Sequence, residues 1–122
     1  RLPEGMHFEI YTLKALEKCH VEGRDEHRSE YASAYPRFNQ GRFKIGIILP
    51  PKKLQRLDLR LTVDYPEDLV VCRKVYEALK YQGPRIASDA IVEFMDAHDE
   101  LKQLVAEFVV PEAIWDGVVA PD

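Results

Sequence analysis

The chain has few of the residues and runs that identify secreted or membrane proteins. Among its 122 residues there are two cysteines, Cys19 and Cys72. Two cysteines give no disulfide framework, which argues against a small secreted scaffold and makes the reducing cytoplasm the expected compartment. The sequence contains no run of about 18 apolar residues, so we expect no membrane span. Nor do we expect a signal peptide at the amino end.

Phosphate-binding loops, zinc sites and hydrolase triads are also missing. None of the six glycines stands in the arrangement Gly-x-x-x-x-Gly-Lys or Gly-x-Gly-x-x-Gly. Cys19 and His20 are not at zinc-ligand spacing with His27 or Cys72, which argues against a zinc site. No serine, histidine and aspartate triad can be nominated. We therefore predict no catalytic side chain in this chain.

Charge is distributed unevenly along the sequence. The formal net charge of -4 argues against nucleic acid as a partner. Between Arg37 and Arg60, however, there are seven basic residues and one acid, Asp58. We favour the interpretation of this stretch as a solvated edge strand that lysine and arginine keep from aggregating. The alternative is a surface that meets phosphate groups.

Hydrophobic periodicity predicts an α/β fold. Apolar and polar residues alternate over residues 6–10, 42–49 and 57–63, which predicts three β-strands, the last two pairing as an antiparallel hairpin. The predicted helices run from Thr12 to Gly23, over residues 25–35 up to Pro36, from Pro66 to residues 83–84, onward from a cap at Ser88, and onward from Asp99. We expect a mixed sheet of about three strands with packed helices. It would form a single domain over residues 1–122, with an irregular tail at 109–122.

The stretch 57–69 is where the predicted strand passes into a helix. Its apolar strand face would carry Leu57, Leu59, Leu61 and Val63, and its polar face Asp58, Arg60 and Thr62. The inner face of the following helix would carry Leu69, Cys72, Tyr76 and Leu79. Asp64 lies at the joint, where open α/β sheets usually bind ligands. From the residues alone it could instead cap the helix, with Glu67 completing a capping box.

Residues 59–69 also resemble a known signature. They read Leu-Arg-Leu-Thr-Val-Asp-Tyr-Pro-Glu-Asp-Leu. This is similar to the Leu-Thr-Val-Asp-Thr-Pro-Glu-Asp run of the cytidylyltransferases that make CMP-sugars, above all the spore coat polysaccharide biosynthesis branch. Other segments resemble that family in the same order: residues 2–11, residues 25–27 with Tyr31, residues 42–46, and residues 91–96 with residues 100–101. The match is to the carboxyl-terminal half of the family.

The resemblance implies a fold, an activity and site residues. The fold would be the carboxyl-terminal half of a Rossmann-like nucleotidyltransferase, which transfers CMP from CTP to a sugar or sugar acid for surface polysaccharide biosynthesis. Asp64 would be a ligand of the catalytic Mg²⁺, and His7, Glu9 and His27 would lie on the substrate side. His27 could equally orient a helix by hydrogen bonding. Because the related enzymes form dimers, a homodimer is implied as well.

The sequence departs from the family in ways that support a second interpretation. Glu4 and His7 stand where the family has arginine and aspartate on the sugar side of the cleft. The family's amino-terminal half, with its phosphate-binding loop and second metal-binding aspartate, has no counterpart. Since the chain begins at Arg1, we expect it to be part of something longer and to be inactive alone. The alternative function is a non-catalytic dimerisation or assembly module derived from the same fold.

Overall fold

The structure is a computed structural model that describes residues 1–28 and 33–109. It contains two compact units. Of the described residues, the first comprises Arg1–His7 and 49–109, and the second comprises 8–28 and 33–48. Across the described residues, 56% of the chain is helical and 2% is strand. No helix in these two ranges is long and apolar enough to cross a membrane.

The predicted mixed α/β sheet is wrong. Over the described ranges, extended backbone pairs in one isolated parallel bridge, between Glu4 and Arg60. The Glu4 N–H donates to the Leu59 carbonyl at 2.9 Å, and the Glu4 carbonyl accepts from the Leu61 N–H at 2.8 Å. Gly5 then turns the chain at φ +87°, so the ladder is not continued. Alternation indicates an extended segment with one face covered, but pairing needs a second segment that stays alongside.

Residues 42–47 keep the predicted alternation without forming a strand. Phe43, Ile45 and Ile47 are half-buried, whereas the residues between them are exposed. Leu49, which the same period predicts to point inward, is 46% exposed. The Phe43 ring meets the Tyr35 ring edge-on at 5.8 Å between centroids. The period therefore marks the covered face of this segment correctly, although the segment takes part in no β-bridge found among the described residues.

The second unit contains helices α1 (Leu13–Glu22) and α2 (Ala34–Phe38). The predicted caps of α1 are confirmed: Thr12 Oγ1 accepts from the Ala15 N–H at 3.2 Å, and the Gly23 N–H donates to the Cys19 carbonyl. These caps satisfy backbone groups that a helix end leaves unpaired.

The helix predicted over residues 25–35 has different bounds in the structure. A 3₁₀ turn covers Asp25–His27, and residues 29–32 lie outside the described part. Pro36 does not stop a helix but lies in the first turn of α2. Its missing N–H costs little there, because the first N–H groups of a helix have no intrahelical partner. A second 3₁₀ turn follows at Gln40–Arg42.

The first unit contains helices α3 (Pro66–Leu79), α4 (Ser88–Asp96) and α5 (Asp99–Leu104). The predicted starts at Pro66 and Asp99 are confirmed. Ser88, predicted as the cap of α4, is instead its first helical residue, and Ala87 takes the N-cap position. Short 3₁₀ turns cover Lys52–Leu54, Lys80–Gln82 and Ala106–Phe108. The buried apolar side chains of this unit form one core: Leu59, Val71, Val75, Leu79, Val92, Met95, Leu101 and Val105.

The inner face of α3 differs from the predicted one. Its buried residues are Asp68, Val71, Val75 and Leu79. Of the predicted set, Leu79 is buried, but Leu69 is 40% exposed and Tyr76 58% exposed. The buried face is rotated relative to the predicted one and includes a charged residue, Asp68, in the first turn of α3. A pattern of apolar residues does not include a charged residue.

Candidate functional site

Arg60 is the centre of the most highly connected polar cluster described in the first unit. Its side chain is 4% exposed, and its nearest partner, the Asp68 side chain, is fully buried. The two form a bidentate pair: Nε donates to Asp68 Oδ1 at 2.8 Å, and Nη2 donates to Asp68 Oδ2 at 2.9 Å. Two parallel bonds of this kind fix the plane of the guanidinium as well as its position.

The remaining N–H groups of Arg60 also have acceptors. Nη2 donates to Asp64 Oδ2 at 2.8 Å, Nη1 donates to the Phe108 carbonyl at 3.2 Å, and Glu4 Oε1 lies 2.8 Å from Nη1. A guanidinium has five N–H donors, so every donor of Arg60 has an acceptor within reach. The cluster thus joins three carboxylates, from Glu4, Asp64 and Asp68, through one cation.

Asp68, and not Asp64 or Glu67, closes the amino end of α3. Its Oδ2 accepts from the Asp64 N–H at 2.9 Å and from the Tyr65 N–H at 3.0 Å. Tyr65 holds the N-cap position and Pro66 follows as the first helical residue. The prediction that Asp64 caps the helix together with Glu67 is therefore wrong. Asp68, in the first turn of α3, is the residue that caps it.

The Arg60–Asp68 pair holds its charge firmly. Hydrogen bonds from Arg60, followed by backbone N–H groups of Asp64 and Tyr65, lower the pKa of Asp68 from its usual 3.8 to about 2, against the opposing effect of burial. The same pairing raises the pKa of Arg60 above its usual value. Both groups are ionised at neutral pH, so the cluster is a fixed electrostatic framework.

Asp64 is the exposed member of this cluster. Its side chain is 59% exposed, and Oδ2 accepts from Arg60. The neighbouring Tyr65 ring stacks on the Phe108 ring, with centroids 4.1 Å apart and planes 14° from parallel. The guanidinium carbon of Arg60 lies 5.5 Å from the Tyr65 ring centroid. A carboxylate is thus presented to solvent beside an aromatic pair, on a buried ionic support.

The predicted substrate residue Glu9 lies in the second unit and His7 in the first. Glu9 Oε2 accepts from the Tyr11 hydroxyl at 2.7 Å, and Arg37 Nη2 lies 3.7 Å from Glu9 Oε1. Burial, together with Glu9, raises the pKa of Tyr11. His7 is exposed. Glu9 is thus tied into a polar cluster of its own.

His27, the third predicted substrate residue, has a structural setting. Its ring meets Tyr35 edge-on at 5.0 Å and lies 6.3 Å from the Phe38 ring. Its Nδ1 accepts from the Arg24 N–H at 3.1 Å, which closes the local 3₁₀ turn. These contacts fit the interpretation that His27 orients the local backbone, and its contact with substrate stays a prediction.

Two of the basic residues that could have met phosphates, Arg56 and Lys53, are paired with acids. Arg56 donates to both oxygens of Asp58 and to Asp96 Oδ2 at 2.7 Å. Lys53 is paired with Asp89. The described part of the chain contains no group of three or more histidine, cysteine, aspartate or glutamate side chains placed to hold a metal ion. A complete metal site or triphosphate cradle is therefore not formed by these residues.

A small apolar cavity lies in the first unit. It has a volume of about 190 Å³ and is lined by Met6, Leu61, Cys72, Val75, Tyr76, Ile86 and Ile91. Burial raises the pKa of the Cys72 thiol, which makes it less reactive. Ligand pockets usually measure about 300–1,000 Å³ and contain converging polar groups. This cavity is smaller and almost wholly apolar, so we assign no ligand to it.

Arg60 and Asp68 are site residues that the sequence patterns do not predict. Alternation with Leu59 and Leu61 places Arg60 on the polar face of the predicted strand. A signal was nevertheless present: Arg60, Asp64 and Asp68 follow one another at intervals of four residues. An arginine before a helix start, with acids at such intervals, can bring one guanidinium between two carboxylates.

Comparisons with known proteins show one relative of unknown role. No known protein family matches the chain, and no solved structure matches it. The chain is 29% identical, over 102 residues, to an uncharacterised protein of Methanocaldococcus jannaschii. The alignment covers 82% of this chain but 40% of that protein, so the chain spans less than half the length of its relative.

Proposed function

We propose that this chain is part of a nucleotidyltransferase that transfers CMP from CTP to a sugar or sugar acid for surface polysaccharide biosynthesis. The observation that carries the proposal is the Asp64 carboxylate, exposed at the junction of an extended segment and α3 and bound there by Arg60. The resemblance of residues 59–69 to the cytidylyltransferase signature is the reason for proposing that this carboxylate binds the catalytic Mg²⁺. The reaction would take place in the cytoplasm.

In this proposal Asp64 would supply one ligand of a magnesium site whose other ligands come from elsewhere. Asp64 offers a carboxylate oxygen, the ligand that Mg²⁺ prefers, and one or two protein carboxylates plus substrate phosphates commonly complete such sites. Bound there, Mg²⁺ would neutralise charge on the phosphates of CTP. Asp64 would give one ligand from this chain. The positive end of α3 lies beside it and also favours negative groups.

The chain would contribute the sugar side of the cleft and one metal ligand, but not the triphosphate cradle. Lys53 and Arg56 are engaged by acids of the same unit. Binding a triphosphate needs backbone donors and cations that converge on it. The remaining parts of the site would come from outside these 122 residues. In this proposal His7, Glu9 and His27 would contact the substrate.

A second candidate function is a non-catalytic dimerisation or assembly module. Glu4, in place of the family's arginine, is bound to Arg60 and so serves the internal cluster. Large apolar side chains of the second unit are also exposed, among them Phe8 at 65%, Ile10 at 79% and Ile48 at 75%. In this second candidate function these side chains would form part of a contiguous apolar surface, the kind that interaction sites present.

The experiment that separates the two functions is an assay of CMP transfer by the full-length protein. Pyrophosphate release from CTP is measured with a panel of sugar acids at saturating Mg²⁺. We expect the Asp64→Asn variant to turn over roughly a hundredfold more slowly, the scale of losing one preorganised electrostatic group. Its melting temperature should fall little, because asparagine keeps a side-chain oxygen that can still accept from Arg60, at a position that is 59% exposed.

Asp58→Asn is the matched control. Asp58 is also 59% exposed and also bound by an arginine, Arg56. Its replacement should leave turnover near the wild-type rate. A protein that transfers no CMP in any of these assays would support the assembly module. If Asp64→Asn turned over normally, the metal assignment would be wrong. The 122-residue chain on its own is expected to release no pyrophosphate.

A further inference from the structure

Arg60 is well placed to act on Asp64 and badly placed to act on a substrate. With 4% of its side chain exposed, it cannot reach a phosphate or a sugar in solution. Its donors are already directed at Asp68, Asp64, Glu4 and the Phe108 carbonyl. A further anion would have to displace one of these acceptors. Any contribution of Arg60 to function must therefore pass through a residue that it holds.

Asp64 is held at two points by two groups that are themselves bound to each other. Asp68 Oδ2 accepts from the backbone N–H of Asp64, and Arg60 Nη2 donates to the carboxylate of Asp64. Arg60 and Asp68 are joined by the bidentate pair. The three residues form a closed ring of hydrogen bonds, which restricts both the backbone and the side-chain rotamer of an otherwise exposed aspartate.

We propose that Arg60 is a positioning residue for Asp64. By binding Asp64 Oδ2, Arg60 turns that oxygen inward and leaves Asp64 Oδ1 available to a divalent cation. The inference rests on the proposed function, in which Asp64 is a metal ligand. It adds that the ligand is preorganised by a buried guanidinium, and that the ring of Arg60, Asp64 and Asp68 is the device that does so. Outer partners of this kind typically change metal affinity by about 10–100-fold when removed.

Lysine should not replace Arg60. A lysine keeps the positive charge but is a compact ammonium on a flexible stem, whereas arginine presents several donors in one rigid plane. An ammonium at this position could bind Asp68 without also fixing Asp64. The Arg60→Lys variant therefore tests positioning with the charge retained.

Mn²⁺ binding to the full-length protein measures the effect without relying on catalysis. Mn²⁺ alone is titrated and followed by water proton relaxation, for wild type, Arg60→Lys, Asp64→Asn and the double variant. We expect Arg60→Lys to weaken binding by roughly tenfold or more. In the Asp64→Asn background the same change should have no further effect, because the ligand it positions is already altered.

Arg56→Lys is the control for this experiment. Arg56 also binds two carboxylates, Asp58 and Asp96, but does not contact Asp64. Its replacement should leave Mn²⁺ affinity unchanged. If Asp64→Asn weakened binding while Arg60→Lys did not, the positioning role would be overturned and the proposed function would stand. If Asp64→Asn bound Mn²⁺ as wild type does, both would be overturned.

A second measurement applies even if Arg60→Lys does not fold. The guanidinium ¹⁵N and proton signals of Arg60 are recorded by NMR in wild type and in Asp64→Ala, a change at an exposed side chain. We expect slow exchange of the Arg60 protons with water in the wild type. In Asp64→Ala the Nη signals of Arg60 should shift while those of Arg56 do not. Unchanged Arg60 signals would overturn the inference.

Discussion

Asp68 is a buried acid whose charge is balanced by one arginine and two backbone N–H groups. Burying a charged group is costly unless it is paired and hydrogen-bonded. Asp68 meets that condition only because Arg60 and the turn before α3 come together in the folded chain. Asp68 therefore has three roles. It caps α3, it binds the guanidinium of Arg60, and through that guanidinium it holds Asp64 in place.

The stability of the protein should depend on pH through Asp68. Its pKa is lowered from 3.8 to about 2 in the folded state. Because the folded pKa lies below the unfolded one, the contribution is fully present above about pH 4 and is lost as pH falls towards 2. We expect a loss of about 2 kcal/mol from this group. Urea unfolding of the full-length protein at a series of pH values measures it.

The Asp68→Asn variant gives the reference for this measurement. Other carboxylates, including Asp58 and Asp96, also have lowered pKa values because arginine binds them. Their contributions are common to both proteins, so the difference between the two stability curves isolates Asp68. Parallel curves between pH 4 and pH 2 would show that Asp68 is not responsible.

At the scale of elements, the parallel bridge between Glu4 and Arg60 depends on Gly5. Gly5 has φ +87°, and a Cβ there would lie 2.5 Å from the Leu61 carbonyl carbon and 2.5 Å from the Thr62 nitrogen. Both are backbone atoms that cannot rotate away. The turn therefore has to be glycine for the amino-terminal segment to pack on residues 59–61 and bring Glu4 to Arg60.

Replacing Gly5 with alanine should separate these two segments. The left-handed conformation alone costs an L-residue about 1–2 kcal/mol, and the backbone clash adds to it. We expect destabilisation of about 2 kcal/mol or more, read from chemical unfolding. Gly46→Ala is the control, since a Cβ at Gly46 meets nothing within 4 Å. Equal midpoints for the two variants would contradict the account of this turn.

At the scale of the whole molecule, the second unit leaves apolar surface exposed. Helix α1 buries none of its side chains, and Leu13 and Val21 are 71% and 79% exposed. A helix of a globular protein normally covers one apolar face. The homodimer implied by the family resemblance stays a prediction, and these exposed side chains are where we expect its interface.

Self-association should follow from this surface. We expect the chain to associate at tens of micromolar, roughly the range of moderate affinity, as measured by sedimentation velocity. Leu13→Gln should weaken association by roughly tenfold, about the effect of removing one buried leucine. Lys14→Gln, one residue further along the same exposed helix, should not. A wild-type chain that sediments as a monomer at these concentrations would count against the dimer.

Features that depend on neighbours in sequence could be predicted from the sequence. The caps at Thr12 and Gly23 and the helix starts at Pro66 and Asp99 each need only a few adjacent residues. The alternation of residues 42–47 likewise marked their covered side chains. The position of Asp64, just before α3, was also readable, whereas its metal-binding role stays a prediction.

The tertiary structure alone decided the strand pairing, the inner face of α3 and the support of the site. Alternation in one segment carries no information about whether another segment runs beside it. Three strands were predicted, whereas the described residues contain one isolated bridge, between Glu4 and Arg60. A charged residue is excluded from a predicted core because burial in isolation is unfavourable. Arg60 and Asp68 are buried here because each neutralises and hydrogen-bonds the other, a condition that exists only once the fold has brought them together.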